Sequence, residues 1–230
     1  MLEILYEDQD LIAINKPHGL LVHRSSIAAD TSEFALQILR DQIGRMVRPA
    51  HRLDRKTAGV LLFSLNKEMD SLIQQAFANN RIEKQYLAVL RGFSPLKETI
   101  DYPLKKENGA MQEAVTHFET IQHAEIDLPF GKHATSRYSL IKANPQTGRM
   151  HQLRRHFAHI LHPIIGDRPH GCNKQNKLWK ETFEHDTMLL HASSIKFTQP
   201  KTGELIEIHA NIQPEFERAL NILKITTNQF

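Results

Sequence analysis

Residues Val60–Leu65, VLLFSL, form an almost unbroken apolar run. A strand with one wet face alternates apolar and polar residues. A continuous run of this length reads instead as a strand buried on both faces. A sheet built around such a strand must be covered on both sides, which limits the chain to layered folds. Directly before it stands HRLDRKTAG, His51–Gly59, with one carboxylate, Asp54, among Arg52, Arg55 and Lys56. An acid held among cations at the mouth of a buried strand suits a carboxylate that stays ionised and attacks something beside a polyanion. A structural aspartate that caps a turn or pairs with a neighbouring cation fits the same spacing.

The rest of the chain alternates strands and helices without a strict βαβ rhythm, which predicts an α+β fold with a mixed, largely antiparallel sheet flanked by helices and loops. Leu2–Tyr6 and Leu11–Asn15 read as strands joined by a polar turn, and Lys16-Pro17-His18-Gly19 ends the second. Phe34–Ile43 is a predicted helix stopped by Gly44. Asn66 is the predicted cap of a second helix, whose apolar residues Met69, Leu72, Ile73, Ala76 and Phe77 follow the i, i+3, i+4, i+7, i+8 stripe. Tyr86–Leu90, Val115–Ile121 and Ser136–Ala143 read as strands, His151–Leu161 as a helix, Thr187–Phe197 and Glu204–Ile208 as a hairpin. Pro214 opens a last helix. Lys105–Glu113 looks least ordered, and Asn173–Asp186 looks like a polar insertion.

Composition narrows the function classes. The chain has 230 residues and one cysteine, Cys172, so it has no internal disulfide and fits a reducing compartment. No apolar run reaches the roughly 20 residues that span a bilayer, and the acidic N-terminus lacks a signal-peptide pattern. A cytoplasmic protein is the expectation. Net charge is only +3, but the charges are unevenly placed. Lys132–Lys180 holds ten Lys/Arg residues and one acid, Asp167, and Arg45–Lys56 holds five and one, Asp54. This is the distribution expected of a phosphate-facing surface, although a solvated basic face has the same composition.

Arg149-Met150-His151-Gln152-Leu153-Arg154-Arg155-His156 follows a Thr147-Gly148 turn and opens a helix. Arginine suits either a carboxylate or a phosphate there, since its fork binds both in two-point fashion. His156, His159 and His162 recur every third residue with His151 nearby. Their neighbours Arg154 and Arg155 repel a cation and no HExxH pattern is present, so the expectation is no metal. Tyr86 reads as a core residue, or as a ring that stacks on a base. The chain lacks a Gly-rich phosphate loop, a GxSxG elbow and a CxxC pair.

HRLDRKTAG resembles the HRLDxxTSG signature of the RluA-type pseudouridine synthases. The resemblance extends in order through INKPHGL (Ile14–Leu20), Lys84-x-Tyr86, Thr147–Asp167 and LLHA (Leu189–Ala192), nearly the whole chain. Within the family, His23–Ser26, the doubled Arg154-Arg155, His162–Gly171, Asn173 and Asn176 are most similar to members that act on uridine 65 of tRNA.

The resemblance implies a single catalytic domain over residues 1–230, with no separate N-terminal RNA-binding domain, and the isomerisation of uridine to pseudouridine in RNA. It implies base flipping, tRNA as partner, no cofactor and no metal; a monomer is the expectation because no exposed apolar stripe demands a partner. It makes Asp54 the nucleophile, Arg154 the arginine paired with it, and Tyr86 the tyrosine that contacts uracil. Arg52 becomes the residue that replaces the flipped base, with His51, Arg149 and His151 in substrate-binding or supporting roles. Ala58 stands where the family usually has Ser. Attack at C1′, attack at C6 and proton abstraction all remain open for Asp54. Ribosomal RNA as the substrate and a non-catalytic RNA-binding factor are the alternatives.

Overall fold

A computed structural model describes residues 1–23 and 33–226; Arg24–Ser26 of the His23–Ser26 block lie outside the described residues. In chain order the elements begin with β1 (Glu3–Glu7), β2 (Leu11–Lys16), α1 (Ala35–Ile43), β3 (Arg48–Pro49), β4 (Ala58–Ser64) and α2 (Lys67–Ala78). They continue with β5 (Glu83–Arg91), β6 (Lys97–Asp101), β7 (Leu104–Lys105), β8 (Met111–Gln112), β9 (Val115–Ile126), β10 (Ser136–Pro145) and α3 (Gln152–His159). The last are α4 (Asn173–Phe183), β11 (Leu190–Thr198), β12 (Leu205–His209) and α5 (Pro214–Ile222). They make up two compact units: Met1–Lys84 with Ala192–Asn211, and Gln85–His191 with the segment from Ile212 onward.

In the first unit β1, β2 and β4 pair antiparallel, β3 pairs with β4, and β12 pairs with β11. The apolar run predicted to be doubly buried is β4, and all seven of its residues are buried. Asn66 caps α2 by accepting a hydrogen bond from the Met69 N–H at 2.9 Å. Met69 and Ile73 then pack with Leu11, Leu62, Phe197 and Ile208 in one apolar cluster. Gly44 ends α1 in the left-handed conformation, as its position after the periodic residues predicts.

In the second unit the strand order is β5–β10–β9–β6, and all three ladders are antiparallel. β5 shows directly how this sheet is covered. Tyr86, Ala88 and Leu90 face one cluster with Leu153 and Phe157 of α3. Leu87 and Val89 face the other, with Trp179 of α4 and Phe216 and Leu220 of α5. Alternate residues therefore enter different cores, and both faces are dry.

Two sequence expectations are corrected. Asn173–Asp186 is no insertion, since most of it is α4, whose Trp179 is fully buried. The Trp179 Nε1–H donates to the Tyr138 hydroxyl at 2.9 Å, and Gln175 Nε2 donates to the same oxygen at 2.7 Å. Gln175, Trp179 and Phe183 are spaced four apart, so a narrow inward stripe was hidden in a polar sequence. Lys105–Glu113 is also ordered, since β7 and β8 pair as a short hairpin. No helix among the described residues is long and apolar enough to cross a membrane.

Gly59 lies at φ +107°, and a Cβ there would sit 2.1 Å from the Ala192 carbonyl oxygen. No rotamer change relieves a clash with backbone. Gly59→Ala is expected to cost about 2–5 kcal/mol, combining strained φ with overpacking. Urea unfolding checks this, and a loss below about 1 kcal/mol would contradict so close an approach.

Candidate active-site residues

The first unit carries Asp54, Arg52 and His51. Asp54 is half-buried and opens a turn in which the Thr57 N–H donates to its own carbonyl at 3.0 Å. The turn is braced against the Pro17–Leu20 loop by two reciprocal bonds. The Gly19 N–H donates to the Arg55 carbonyl at 2.9 Å, and Arg55 Nε donates to the Gly19 carbonyl at 3.0 Å.

Beneath these loops lies Lys16, a residue that sequence reasoning treated only as the end of a strand. It is fully buried. Its Nζ donates to the carbonyls of Pro17, Leu20 and Arg55 at 2.9, 2.8 and 3.2 Å. Burial pushes its pKa down to about 7, and the Asp54 carboxylate acts in the opposite direction. Three carbonyl acceptors favour the three-proton ammonium form as well. One buried cation thus gathers both loops around the backbone next to Asp54. The available signal was a charged residue ending an otherwise apolar strand, IAINK.

His51 is held by the β4 backbone and a neighbouring ring. Its Nε2 accepts the Leu62 N–H of β4 at 3.1 Å, and its ring lies against Phe77 at 5.0 Å between centroids. An accepting Nε2 must be unprotonated. Burial, and then the nearby Lys84 charge, hold the pKa down to about 4, against a backbone hydrogen bond at Arg52. Arg52, the next residue, is exposed.

The second unit carries Tyr86, Arg149, His151 and Arg154. Tyr86 stands opposite Ala143 on β5 and packs at the margin of the cluster that contains Leu153. Arg154 is buried and bound two-point by Asp167, with Nε–Oδ2 at 2.8 Å and Nη2–Oδ1 at 2.9 Å. Asp167 is the lone acid of the Lys132–Lys180 stretch, a signal that was visible in the sequence. Its position is itself fixed. Asn176 of α4 donates to the Asp167 carbonyl at 2.7 Å and accepts the Gly166 N–H at 2.9 Å. The His170 N–H donates to Asp167 Oδ1 at 3.3 Å, and His170 Nε2 meets His151 Nδ1 at 3.0 Å.

Gln152 explains why the chain turns into α3 where it does. Its Oε1 accepts from Thr147 Oγ1 at 2.7 Å and from the Arg149 N–H at 3.0 Å. Its Nε2 donates to the Val115 carbonyl at 3.0 Å and to Thr116 Oγ1 at 3.1 Å. Every hydrogen-bonding position of a buried amide is thereby engaged. His151, just before it, is held at φ +53° as the cap residue of α3. Arg149 is exposed and donates through Nε to the Glu113 carbonyl at 2.9 Å.

The remaining histidines disperse. His156 is buried between Thr116 Oγ1 and the Tyr102 carbonyl, and burial lowers its pKa. His159 stacks on Tyr102, and His162 Nδ1 meets the Arg91 carbonyl at 2.9 Å. Among the described residues no three metal-type side chains come together.

The neutral His51 has a consequence for stability. Its proton is bound in the unfolded chain below about pH 6.5 but in the folded chain only near pH 4, so unfolding takes up a proton between those values. Stability is expected to fall as pH drops through that window, by about 3 kcal/mol from this residue. Urea midpoints at pH 7 and pH 4.5 for the wild type and His51→Gln provide the check. An equal pH dependence in both proteins would contradict the assignment.

Comparison with known proteins identifies the family. The family model described as RNA pseudouridylate synthase matches residues 10–159. A Haemophilus ducreyi protein named tRNA pseudouridine synthase C is 46% identical, covering 96% of this chain and 95% of its own length. A Vibrio cholerae protein of the same name is 43% identical, with coverage of 96% and 95%. In fold, the chain is similar to human RNA Pseudouridylate Synthase Domain Containing 4, with a TM-score of 0.74 at 24% identity, covering 96% of this chain and 93% of that one. A braced aspartate turn, a buried arginine and a family match through both place this chain among the RNA pseudouridylate synthases, the family its RluA-type blocks imply.

Proposed function

We propose that this protein isomerises uridine to pseudouridine in tRNA, at position 65, with Asp54 as nucleophile. The observation that carries the proposal is the Asp54 turn, braced by reciprocal bonds to the Pro17–Leu20 loop and by Lys16 beneath. A turn that served only to connect strands has no need of a buried ammonium. The choice of tRNA rests on the relatives named tRNA pseudouridine synthase C, which match nearly end to end. Position 65 rests on the sequence blocks of that subgroup.

The reaction breaks the bond from uracil N1 to ribose C1′, turns the base and joins C5 to C1′, with the C5 proton lost and a proton gained at N1. It is neutral in redox terms and consumes no nucleotide energy. It needs an ionised carboxylate, a compensating cation, and a pocket for a base taken out of its stack. In the proposal Asp54 is the carboxylate, Arg154 the cation and Tyr86 the ring that meets uracil. Arg52, exposed beside Asp54, takes the place of the extruded base in the RNA. Arg149 and His151 support the RNA backbone. The protein works as a monomeric single catalytic domain in the cytoplasm, without metal or cofactor.

Asp54→Asn keeps the shape of the side chain and removes its charge. Turnover is expected to fall by at least about 10⁴-fold, as for loss of a covalent nucleophile, with tRNA affinity changed less than about threefold. Chelation with excess EDTA is expected to leave wild-type turnover unchanged. Substantial turnover by Asp54→Asn refutes the nucleophile assignment, and loss of activity on chelation refutes the metal-free one.

A further inference from the structure

The second unit holds an open cavity of about 240 Å³ that the proposed catalytic groups do not use. One wall is a single face of α4. Asn173, Asn176, Lys177 and Lys180 line it with i, i+3, i+4, i+7 spacing. That face runs about 10 Å along the helix axis. Arg168 also lines it, so three cations line the cavity against one carboxylate, Asp186. The two lysines have only weak ion-pair partners. Lys177 lies 3.6 Å from Glu181 and Lys180 lies 3.9 Å from Asp186, all four side chains being exposed. Such pairs exchange readily for a better anion.

His185 supplies the second observation. It lines the same cavity and is 2% exposed. Its Nε2 is bonded to the Thr187 carbonyl at 3.1 Å, so the proton is on Nε2. Nδ1 is therefore a buried lone pair, and it has no hydrogen-bond partner in the protein. Buried acceptors are seldom left without a donor. The buried His185 ring thus forms part of the wall, and the exposed cations are the groups a ligand meets. Three cations against one carboxylate complement the phosphates of the RNA substrate proposed above.

We infer that the α4 face is a docking groove for the RNA backbone, separate from the catalytic residues. Arg168, Lys177 and Lys180 take phosphates. The inference builds on the proposed RNA substrate but concerns binding alone, so it can be tested apart from catalysis. Phosphate contacts of this kind weaken binding across sequences and set its salt dependence.

The test is the Kd for an unmodified tRNA transcript, measured by fluorescence anisotropy over a salt series. The groove variant is Arg168→Ala/Lys177→Ala/Lys180→Ala, and the control removes equal charge at exposed Lys67, Arg81 and Lys97. All six positions are exposed, so folding is expected to survive in both. The groove variant is expected to bind about tenfold or more weakly than the control, with a log Kd against log salt slope smaller by about two. Equal affinity and slope in the two variants overturn the inference, even if the wild type makes pseudouridine. A selective loss of affinity supports the groove, even if no pseudouridine is made.

Discussion

A single buried ammonium holds together the part of the first unit on which the proposed chemistry rests. Lys16 ends a fully buried strand, and its charge has no water to meet. Burying an unpaired charge is prohibitively costly, so the surrounding backbone must supply acceptors. It does so from both sides, through Pro17 and Leu20 of one loop and Arg55 of the other. Neither loop can relax without leaving that charge unsatisfied. The turn that carries Asp54 inherits its position from this requirement, and the Asp54 carboxylate in return favours the charged lysine.

The second unit solves a similar problem with a different device. Arg154 is buried on α3 and is held two-point by an equally buried carboxylate, Asp167. Removing one partner from such a pair leaves an uncompensated charge, typically a loss of about 3–5 kcal/mol. The loop bearing Asp167 is anchored by Asn176, and the start of α3 is anchored by Gln152. The guanidinium therefore sits on rigid supports, as a group meant to act in one orientation requires. Asp167 uses the edge formed by Nε and Nη2, and Nη1 carries a further pair of donors.

Much of the fold was legible in the chain. The doubly buried β4, the Asn66 cap, the Gly44 stop and the Pro214 start all follow from local rules that the structure obeys. The failures have a common cause. In α4 the inward stripe is Gln175, Trp179 and Phe183, and a buried glutamine is invisible to hydrophobic periodicity. The same limit hid Lys16 and Gln152, polar residues whose importance lies in long-range hydrogen bonds. The charge pattern around HRLD singled out Asp54, and the family resemblance singled out Tyr86 and Arg154. It did not show that His51 is engaged by the Leu62 backbone, since that bond depends on how β4 folds back beside it.

The central claim is that Asp54 attacks a uridine in tRNA. The most direct measurement is pseudouridine mapping, at nucleotide resolution, of total tRNA and ribosomal RNA treated with purified protein and no cofactor. The account expects one new site, at tRNA position 65. A new site in ribosomal RNA alone contradicts the substrate assignment while leaving the family chemistry intact. The absence of any new site in either pool contradicts the catalytic reading itself and leaves an RNA-binding protein.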